Sequence, residues 1–458
     1  MKVDLNIING KIWTNKKLVN ASISIDKGKI VIISDKKYLP KSKEVIDAKD
    51  CLVLPGMIDS HIHSRDPGFT EREDFYTVSC AAAAGGITTI FDMPNNIPPA
   101  STTDGFKIKI EIANRKSIID FALYAGAGKE NISEIEFLSK LGAIAFKTFL
   151  LDVSTSKTKD TYWGINISNN TEMLKVFEAI NKTGKISAVH AEDGNIINYA
   201  VEKLKAEKRN DVSAFGESRP EISEIVSTHT VILLANYTGT KLHICHVGSP
   251  GVIDLIYEAK QKNQDVTSET TPLYLLLSEE DLERIGYLGY IYPPLRSLDV
   301  KKKIYDAFIK GKIDILNSDH APYTKEEMKK GERNVWDAAP DGSAIEIMLP
   351  LMLNEVNKGI ISLERVVHSL SEFPAKRFGI DNQKGFIEIG LDADFVIVDM
   401  HKEKIIYGEN MKTKQKITQF EGVKIKGVPI KTISKGKVIA EDSEIMVEPG
   451  WGEFIKPN

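Results

Sequence analysis

Short apolar segments recur through the middle of the chain and alternate with longer amphipathic segments. The apolar segments are 52–59, 87–93, 118–126, 143–149, 186–190, 241–247, 265–270 and 313–319, and helical periodicity marks 81–86, 171–183, 221–237 and 300–309. This alternation predicts parallel strands joined by helices. Eight such units predict a closed (β/α)8 barrel. An open doubly wound sheet would alternate in the same way, but the chain has no Gly-x-Gly-x-x-Gly turn to accompany it.

The two ends of the chain carry a different pattern of short β segments. Residues 5–8 lead into Asn9-Gly10, which predicts a hairpin, and Lys27-Gly28 predicts a second turn. Residues 1–52 are too few to form a stable domain alone, and similar apolar segments return between 390 and 439. We therefore expect both termini to combine into one small β domain. The predicted divisions are 1–52 and 376–445 for that domain, 53–375 for the barrel and 446–458 for a C-terminal tail.

Composition narrows the class of protein. Hydrophobic residues make up 42% of the chain and charged residues 27%, which is typical of a globular protein. A net charge of −4 gives no electrostatic case for nucleic acid. No apolar run predicts a membrane span, and the first residues do not resemble a signal peptide. Three widely spaced cysteines argue against a disulfide framework, so we expect a cytoplasmic protein.

His61 and His63 follow the first apolar strand at positions i and i+2. Side chains two apart on a strand point to the same face, so both imidazoles would project from one strand end. Zinc favours imidazole nitrogen, and a catalytic zinc keeps one position open for water. A lone pair of this kind is more often a pair of hydrogen-bonded core or surface histidines, so the assignment depends on the residues that follow.

Further polar residues stand at the ends of later strands, where barrel enzymes carry their catalytic groups. They are Asn95, Lys147, His190, His246 and Asp319. Asp319 can bind a metal and take a proton from water, although alone it is as readily a turn residue. His243 lies three residues before His246 and cannot share its strand face, so we expect it to have a structural or ligand-orienting role.

Lys147 is the unusual member because apolar residues flank it on both sides. Burying an unpaired ammonium is costly, and a neutral amine can react with carbon dioxide to form a carbamate with two metal-binding oxygens. Taken alone, a lysine that reaches solvent or pairs with a carboxylate is the better expectation. Together, four histidines, one modified lysine and one aspartate predict a two-metal site that activates a hydroxide for hydrolysis at a carbonyl.

With these motifs, the chain resembles the cyclic amidohydrolases of the amidohydrolase superfamily, and most closely the dihydroorotases. The resemblance covers nearly the whole length, including Pro-Gly-Met-Ile-Asp before the histidines, Lys384-Gly385 and the segment 390–394. It implies a TIM barrel with a small β-sandwich domain built from both termini, and a homodimer or homotetramer. It also implies two Zn²⁺ ions bridged by carbamylated Lys147. The implied ligands are His61, His63 and Asp319 for one metal and His190 and His246 for the other, with Asp319 as general base and acid.

The resemblance also suggests a substrate. Dihydroorotases carry His-x-His-x-Arg and Met-Pro-Asn, matched here by Arg65 and Asn95, which would hold the carboxylate of dihydroorotate. The implied reaction is the reversible hydrolysis of dihydroorotate to N-carbamoyl-aspartate in pyrimidine synthesis.

Three motifs depart from the dihydroorotase pattern, and one of them is the segment 271–275, which reads Thr-Pro-Leu-Tyr-Leu where many dihydroorotases have Thr-Pro-His-His-Leu. Tyr292 replaces the asparagine of Asn-Pro-Pro-Leu-Arg, and Tyr323 replaces the last histidine of Asp-His-Ala-Pro-His. Their hydroxyl groups can replace the missing hydrogen bonds with substrate or serve another ring. A hydantoinase, dihydropyrimidinase or allantoinase therefore stays open, and so does a non-catalytic relative, which would purify with little metal. The segment 152–162, rich in threonine, serine and lysine, is a candidate mobile lid.

Overall fold

The computed structural model describes residues 2–150, 162–340 and 342–458. The candidate lid at 152–162 falls outside the described residues except for its last member, Tyr162. Among the helices described, none is long and apolar enough to cross a membrane.

Eighteen strands are described, in chain order. They are β1 Val3–Thr14, β2 Lys17–Asp26, β3 Lys29–Ser34, β4 Ser42–Asp47, β5 Leu52–Pro55, β6 Met57–Ile62, β7 Ile87–Asp92, β8 Asp120–Leu123, β9 Ala125–Gly126, β10 Phe146–Phe149, β11 Ile186–His190, β12 Lys241–Ile244, β13 Val266–Thr270, β14 Ile315–Leu316, β15 Phe395–Ile405, β16 Lys424–Ser434, β17 Lys437–Glu441 and β18 Glu444–Ile445.

Fifteen α-helices accompany them in the described ranges. They are α1 Phe75–Ala84, α2 Thr103–Lys116, α3 Ile135–Leu141, α4 Asn170–Thr183, α5 Gly194–Ala206, α6 Val212–Glu217, α7 Glu221–Thr238, α8 Pro250–Gln261, α9 Pro272–Leu276, α10 Leu282–Ile285, α11 Leu298–Ile309, α12 Lys325–Arg333, α13 Met348–Asn357, α14 Leu363–Val367 and α15 Phe373–Arg377.

Local sequence signals explain where several helices begin and end. The Asp74 side chain accepts a hydrogen bond from the Thr77 amide at 2.9 Å and caps α1. Asn169 caps α4 in the same way, and Gly184 ends that helix with a φ of 70°. The helices predicted at 171–183, 221–237 and 300–309 are present as α4, α7 and α11.

Both chain termini contribute to one nine-stranded sheet, and their combination into one small β domain stays a prediction. Its order is β18-β17-β16-β15-β5-β1-β2-β3, with β4 paired to β1. The antiparallel pairing of β15 with β5, which sets Phe395 opposite Pro55, joins the C-terminal strands to the N-terminal ones. A separate hydrophobic core that includes Ile7, Ile23 and Ile433 draws on both ends of the chain.

The predicted hairpin at Asn9-Gly10 is wrong. Strand β1 continues through both residues, and its register against β2 shifts between Ile7 and Gly10, which marks a bulge. Asn9 has a φ of 56°, so the left-handed conformation expected of a turn is present without a chain reversal. The chain reverses instead at Asn15 and Lys16, whereas the turn predicted at Lys27-Gly28 is confirmed between β2 and β3.

The middle of the chain forms two parallel sheets, β6-β7-β8 and β9-β10-β11-β12-β13-β14. The predicted strand at 118–126 is divided into β8, which belongs to the first sheet, and β9, which belongs to the second. The two parallel sheets therefore meet at this segment. The Tyr124 amide donates to Asp92 O at 3.0 Å, and the Ala125 amide donates to Ala145 O at 3.0 Å. At the other edge, Ile62 forms an isolated parallel bridge with His320. Parallel strands at all eight predicted positions are confirmed, and their closure into one continuous barrel stays a prediction.

The C-terminal segment returns to strand β8. The Phe121 amide donates to Glu453 O at 3.0 Å, and the Ile455 amide donates to Phe121 O at 2.8 Å. Phe454 thereby forms a parallel bridge with Phe121. Residues 453–455, which the sequence placed in a tail, thus lie along a strand of the parallel sheet; the exact domain boundaries stay predictions.

Candidate active site

The polar residues predicted at the strand ends line one pocket. His61 lies in β6 and His63 just after it, His190 ends β11, and His246 and Asp319 follow β12 and β14. The pocket has a volume of about 80 Å³, and its lining residues are His61, His63, Arg65, Asn95, Phe149, Tyr162, His190, His246, Thr271, Leu273, Tyr274, Ile291, Tyr292, Asp319, Ala321, Tyr323, Pro340 and Gly342. Of the predicted site residues, Lys147 alone is not in this lining.

His61, His63 and Asp319 form the first group of metal-binding atoms. The Asp319 carboxylate oxygen Oδ1 lies 3.3 Å from His61 Nε2 and 3.6 Å from His63 Nε2. Both histidines are buried. One ligand atom from each residue lies within 4.8 Å of the other two, so the three residues can hold a metal ion together. Two imidazole nitrogens and a carboxylate oxygen are a donor set that zinc accepts.

His190, His246 and Lys147 form a second group beside the first. His190 Nδ1 lies 2.9 Å from His246 Nε2, so both nitrogens face one point. The rings of His61 and His246 are 5.6 Å apart, which brings the two groups together. Lys147 is fully buried, and Cys245 Sγ lies 2.9 Å from its Nζ. No carboxylate pairs with Lys147 among the described residues, as carbamylation of a buried amine requires.

The charges in the pocket suit a base next to metal ligands. Burial alone would raise the pKa of Asp319, but the charge of His61 and the hydrogen bond from His63 hold that pKa below its ordinary value. Burial would lower the pKa of His61, yet Glu269 and Asp319 raise it to about 10. Asp319 is therefore ionised at neutral pH, and a metal ion binding His61 must displace a proton.

Arg65 is held in a strained backbone position beside the ligands. Its φ is 62°, and the preceding Ser64 amide donates to Asp92 Oδ1 at 2.7 Å. Asp92 itself forms a fully buried ion pair with Lys109, 2.7 Å away. The Arg65 side chain donates from Nε to Pro322 O at 3.0 Å and lies over the Tyr323 ring at 4.8 Å. A positive φ is uncommon for a residue other than glycine, and the hydrogen bonds around Arg65 hold it in this conformation.

The other predicted substrate contacts have protein partners as well as pocket surface. His63 Nδ1 and Asn95 Oδ1 are hydrogen-bonded at 2.8 Å, so the Asn95 amide orients the His63 ring, and its NH₂ group makes no hydrogen bond to another described residue. The guanidinium carbon of Arg72 also lies over the Tyr323 ring, 4.5 Å from the ring centroid. The Tyr292 ring lies 3.7 Å from the guanidinium carbon of Arg219.

Glu269 is a functional residue that the sequence reasoning missed. Its carboxylate binds His61 Nδ1 and the Asn317 amide, and lies 2.9 Å from His243 Nε2. His243 therefore supports His61 through Glu269, in agreement with the orienting role predicted for it. Glu269 stands among polar residues in the predicted strand 265–270, so the sequence offered no signal that singles it out.

Glu192 supports the second group in the same way. Its Oε2 lies 2.7 Å from His190 Nε2, opposite the nitrogen that faces His246. Arg219 binds this carboxylate in turn, with Nε 3.0 Å from Oε1. Burial would raise the pKa of Glu192, but Arg219 and His190 hold it below its ordinary value. Each candidate metal group thus has a buried glutamate that fixes one imidazole.

Histidine pairs, a buried lysine and an ionised aspartate at the ends of parallel strands define a metal-dependent hydrolase. The model of the amidohydrolase family matches residues 52–439. The chain belongs to this family, whose members generally bind a binuclear metal site.

Whole-length relatives support a cyclic amidohydrolase activity. An L-hydantoinase of Paenarthrobacter aurescens is 34% identical over 99% of this chain and 98% of its own length. A dihydroorotase of Methanosarcina acetivorans is 36% identical over 99% of this chain and 95% of its own length. The structure of an L-hydantoinase (dihydropyrimidinase) from Arthrobacter aurescens superposes with a TM-score of 0.95 at 33% identity, covering 99% of this chain and 100% of that one.

Proposed function

We propose that the protein is a dihydroorotase, which hydrolyses dihydroorotate reversibly to N-carbamoyl-aspartate in pyrimidine synthesis. The observation that carries this proposal is Arg65, which lines the pocket and is 5% exposed. No carboxylate pairs with it among the residues that the structure describes. An arginine does not lose its proton in proteins, and an unpaired buried charge is costly. A substrate that brings a carboxylate into the pocket would compensate this charge.

Neighbouring arginines show the contrast. Arg72 pairs with Glu327, Arg219 with Glu192 and Arg296 with Glu224. Their charges are therefore balanced by carboxylates of the protein, whereas no carboxylate among the described residues balances the charge of Arg65. Asn95 lines the pocket as well, and its free amide hydrogens can donate to the same carboxylate.

The remaining roles follow from the two groups of donors. We assign His61, His63 and Asp319 to one zinc ion, His190 and His246 to a second, and carbamylated Lys147 to both. The metal ions supply Lewis-acid chemistry when bound: they polarise the ring carbonyl and acidify a water. The Asp319 carboxylate takes the proton of the attacking water and passes it to the ring nitrogen as the amide bond breaks. Arg65 and Asn95 hold the ring so that its carbonyl faces the ligands.

A hydantoinase is the second candidate, and a specific feature favours it. Four tyrosines, Tyr162, Tyr274, Tyr292 and Tyr323, line the pocket, and aromatic walls suit an uncharged ring. The high similarity to the L-hydantoinase supports the same alternative. A cytoplasmic location and a homodimeric or homotetrameric state stay predictions.

The test is hydrolysis of dihydroorotate, hydantoin, dihydrouracil and allantoin by the zinc-supplemented protein under identical conditions. We expect the highest kcat/KM with dihydroorotate, because only this ring in the set brings a carboxylate to Arg65. Preference for hydantoin or dihydrouracil would overturn the dihydroorotase assignment and support the second candidate.

Arg65→Met tests the carboxylate assignment directly. We expect kcat/KM for dihydroorotate to fall by about 100-fold or more, because a buried charge-assisted contact is lost, with bound zinc unchanged. Arg72→Met is the matched control, since Arg72 packs on the same Tyr323 ring but is paired with Glu327. Equal losses in the two variants would contradict the role of Arg65.

A further inference from the structure

A buried series of contacts connects the ligand candidate His190 to the pocket wall. His190 binds Glu192, Glu192 binds Arg219, and the Arg219 guanidinium lies on the Tyr292 ring at 3.7 Å. Glu192 is fully buried and Arg219 is 6% exposed. Tyr292 belongs to the pocket lining. The series therefore begins at one candidate metal group and ends at the surface that substrate would touch.

Arg219 is held at both its backbone and its side chain. Arg296 donates from Nη1 to Arg219 O at 2.6 Å, and Arg296 itself pairs with Glu224 at 2.5 Å. The guanidinium places two nitrogens on Glu192 and its planar face on Tyr292. A planar guanidinium is suited to this double use, since its edge binds a carboxylate while its face stacks on an aromatic ring.

The contacts of Tyr292 involve its ring. The ring stacks on Phe215 at a centroid distance of 5.6 Å and an interplanar angle of 9°. Its hydroxyl makes no hydrogen bond to another residue in the described part of the chain. Tyr292 stands at the position where many dihydroorotases have asparagine. It therefore presents a flat aromatic ring to the buried guanidinium of Arg219.

We propose that Arg219 and Tyr292 are positioning residues for the second metal group. Arg219 holds Glu192 against His190 Nε2, and Tyr292 holds Arg219 through the face of its ring. His190 Nδ1 is thereby kept in line with His246 Nε2. This inference rests on the proposed function only in taking His190 and His246 as metal ligands. It predicts that the ring of Tyr292 matters for metal affinity and that its hydroxyl does not.

Titration of the apo-protein with Co²⁺, followed by visible absorption, tests the proposal without any substrate. Tyr292→Phe keeps the ring and should bind Co²⁺ within about twofold of wild type. Tyr292→Leu and Arg219→Gln should weaken the second Co²⁺ by about tenfold or more, since residues behind a metal ligand typically contribute 10- to 100-fold to metal affinity. Arg219→Lys should recover only part of the loss, because an ammonium has no planar face.

Tyr323→Leu is the matched control. Tyr323 also lies in the pocket under two arginines, but these are Arg65 and Arg72 rather than Arg219. This variant should raise KM and leave both Co²⁺ affinities unchanged. The double variant Arg219→Gln/Tyr292→Leu should bind the second Co²⁺ no more weakly than Arg219→Gln, because both changes break the same series.

Unchanged Co²⁺ affinity in folded Arg219→Gln and Tyr292→Leu would overturn the proposal, as would additive losses in the double variant. Loss of Co²⁺ affinity in Tyr292→Phe would also overturn it, since the hydroxyl would then be the active group. Failure of the wild-type protein to hydrolyse dihydroorotate would contradict the proposed function alone, because the Co²⁺ comparison needs no substrate.

Discussion

At the scale of single residues, Glu269 links several buried side chains around the candidate ligand His61. It contacts His61, His243 and Asn317, and all four side chains are buried. Burial would raise the pKa of Glu269, but the charges of His61 and His243 hold it well below its ordinary value. An ionised carboxylate at this point fixes the ring of His61 with Nε2 toward Asp319.

Glu269→Gln removes the charge and keeps the size of the side chain. We expect the affinity for zinc to fall by about 10- to 100-fold, because a neutral amide orients His61 less strongly and lowers the basicity of its ring. Competition for zinc against a chelator measures the change. Glu355→Gln is the control, since Glu355 is also a buried glutamate but contacts Tyr305 and Lys358 instead. A loss of zinc affinity of similar size in both variants would instead indicate a general effect of removing a buried carboxylate charge.

The predictability of the site differs from residue to residue for a physical reason. His61, His190 and Asp319 stand at the ends of apolar strands, and strand ends meet at one edge of a parallel sheet. Glu192 and Arg219 are 27 positions apart, and their pairing exists only once the chain is folded. The sequence pattern therefore predicts which residues stand at strand ends. It does not predict which side chains hydrogen-bond to these residues and orient them.

At the scale of elements, turns are less predictable than strands because similar residues support different local structures. Asn9-Gly10 has the composition of a hairpin turn, yet it forms a bulge within β1. A Cβ atom at Gly10 would lie 2.7 Å from a Val53 methyl group, so this glycine allows β5 to approach β1. The actual turn at Asn15-Lys16 carries no glycine, and both residues adopt positive φ values. Packing against β5 thus outweighs local turn preference.

Phe454 anchors the C-terminal segment on strand β8. Its ring lies 5.7 Å from that of Phe121 and 6.2 Å from that of Phe106. Phe454→Ala should lower the free energy of unfolding by about 2 kcal/mol, less than for a fully buried phenylalanine because the ring is half-buried. Urea unfolding measures the loss, and Phe137→Ala, at a 58% exposed position, should change little. A loss below that of the control would mean that the segment does not stabilise the sheet.

At the scale of the whole molecule, one buried lysine ties the terminal sheet to the parallel sheets. Lys384 Nζ lies 2.5 Å from Asp120 Oδ2 in β8, and 2.8 and 2.6 Å from Asp392 and Asp394, which precede β15. Lys384 is 2% exposed. Burial would lower its pKa, but the three aspartates raise it well above 10.5. Lys384 and the two aspartates of the segment 390–394, which are part of the family resemblance, therefore also form an ion-pair cluster between the two sheets.

Lys384→Met would leave the buried Asp394 without a cation and would remove one of the two cations of Asp120 and Asp392, which keep Lys435 and Lys29. We expect the free energy of unfolding to fall by about 3–5 kcal/mol at pH 7.5, because breaking a buried ion pair leaves the partner charge buried without a counterion. A lysine with a raised pKa gives its full stabilisation below pH 10.5, and Lys384 holds the pKa of Asp392 below 3.8. The loss should therefore be constant between about pH 7 and 9 and shrink on acidification as the carboxylates take up protons, among them Asp394, whose pKa burial raises above 3.8.

The test is thermal unfolding of Lys384→Met and Lys29→Met across this pH range. It decides whether Lys384 and its three aspartates join the terminal sheet to the parallel sheets. Lys29 also pairs with Asp392, at 2.6 Å, but its side chain is 47% exposed. Its removal should cost less than about 1 kcal/mol, as for other exposed ion pairs. If both variants lost the same stability, or if the loss in Lys384→Met grew on acidification, the charge of Lys384 would not be what holds the two parts together.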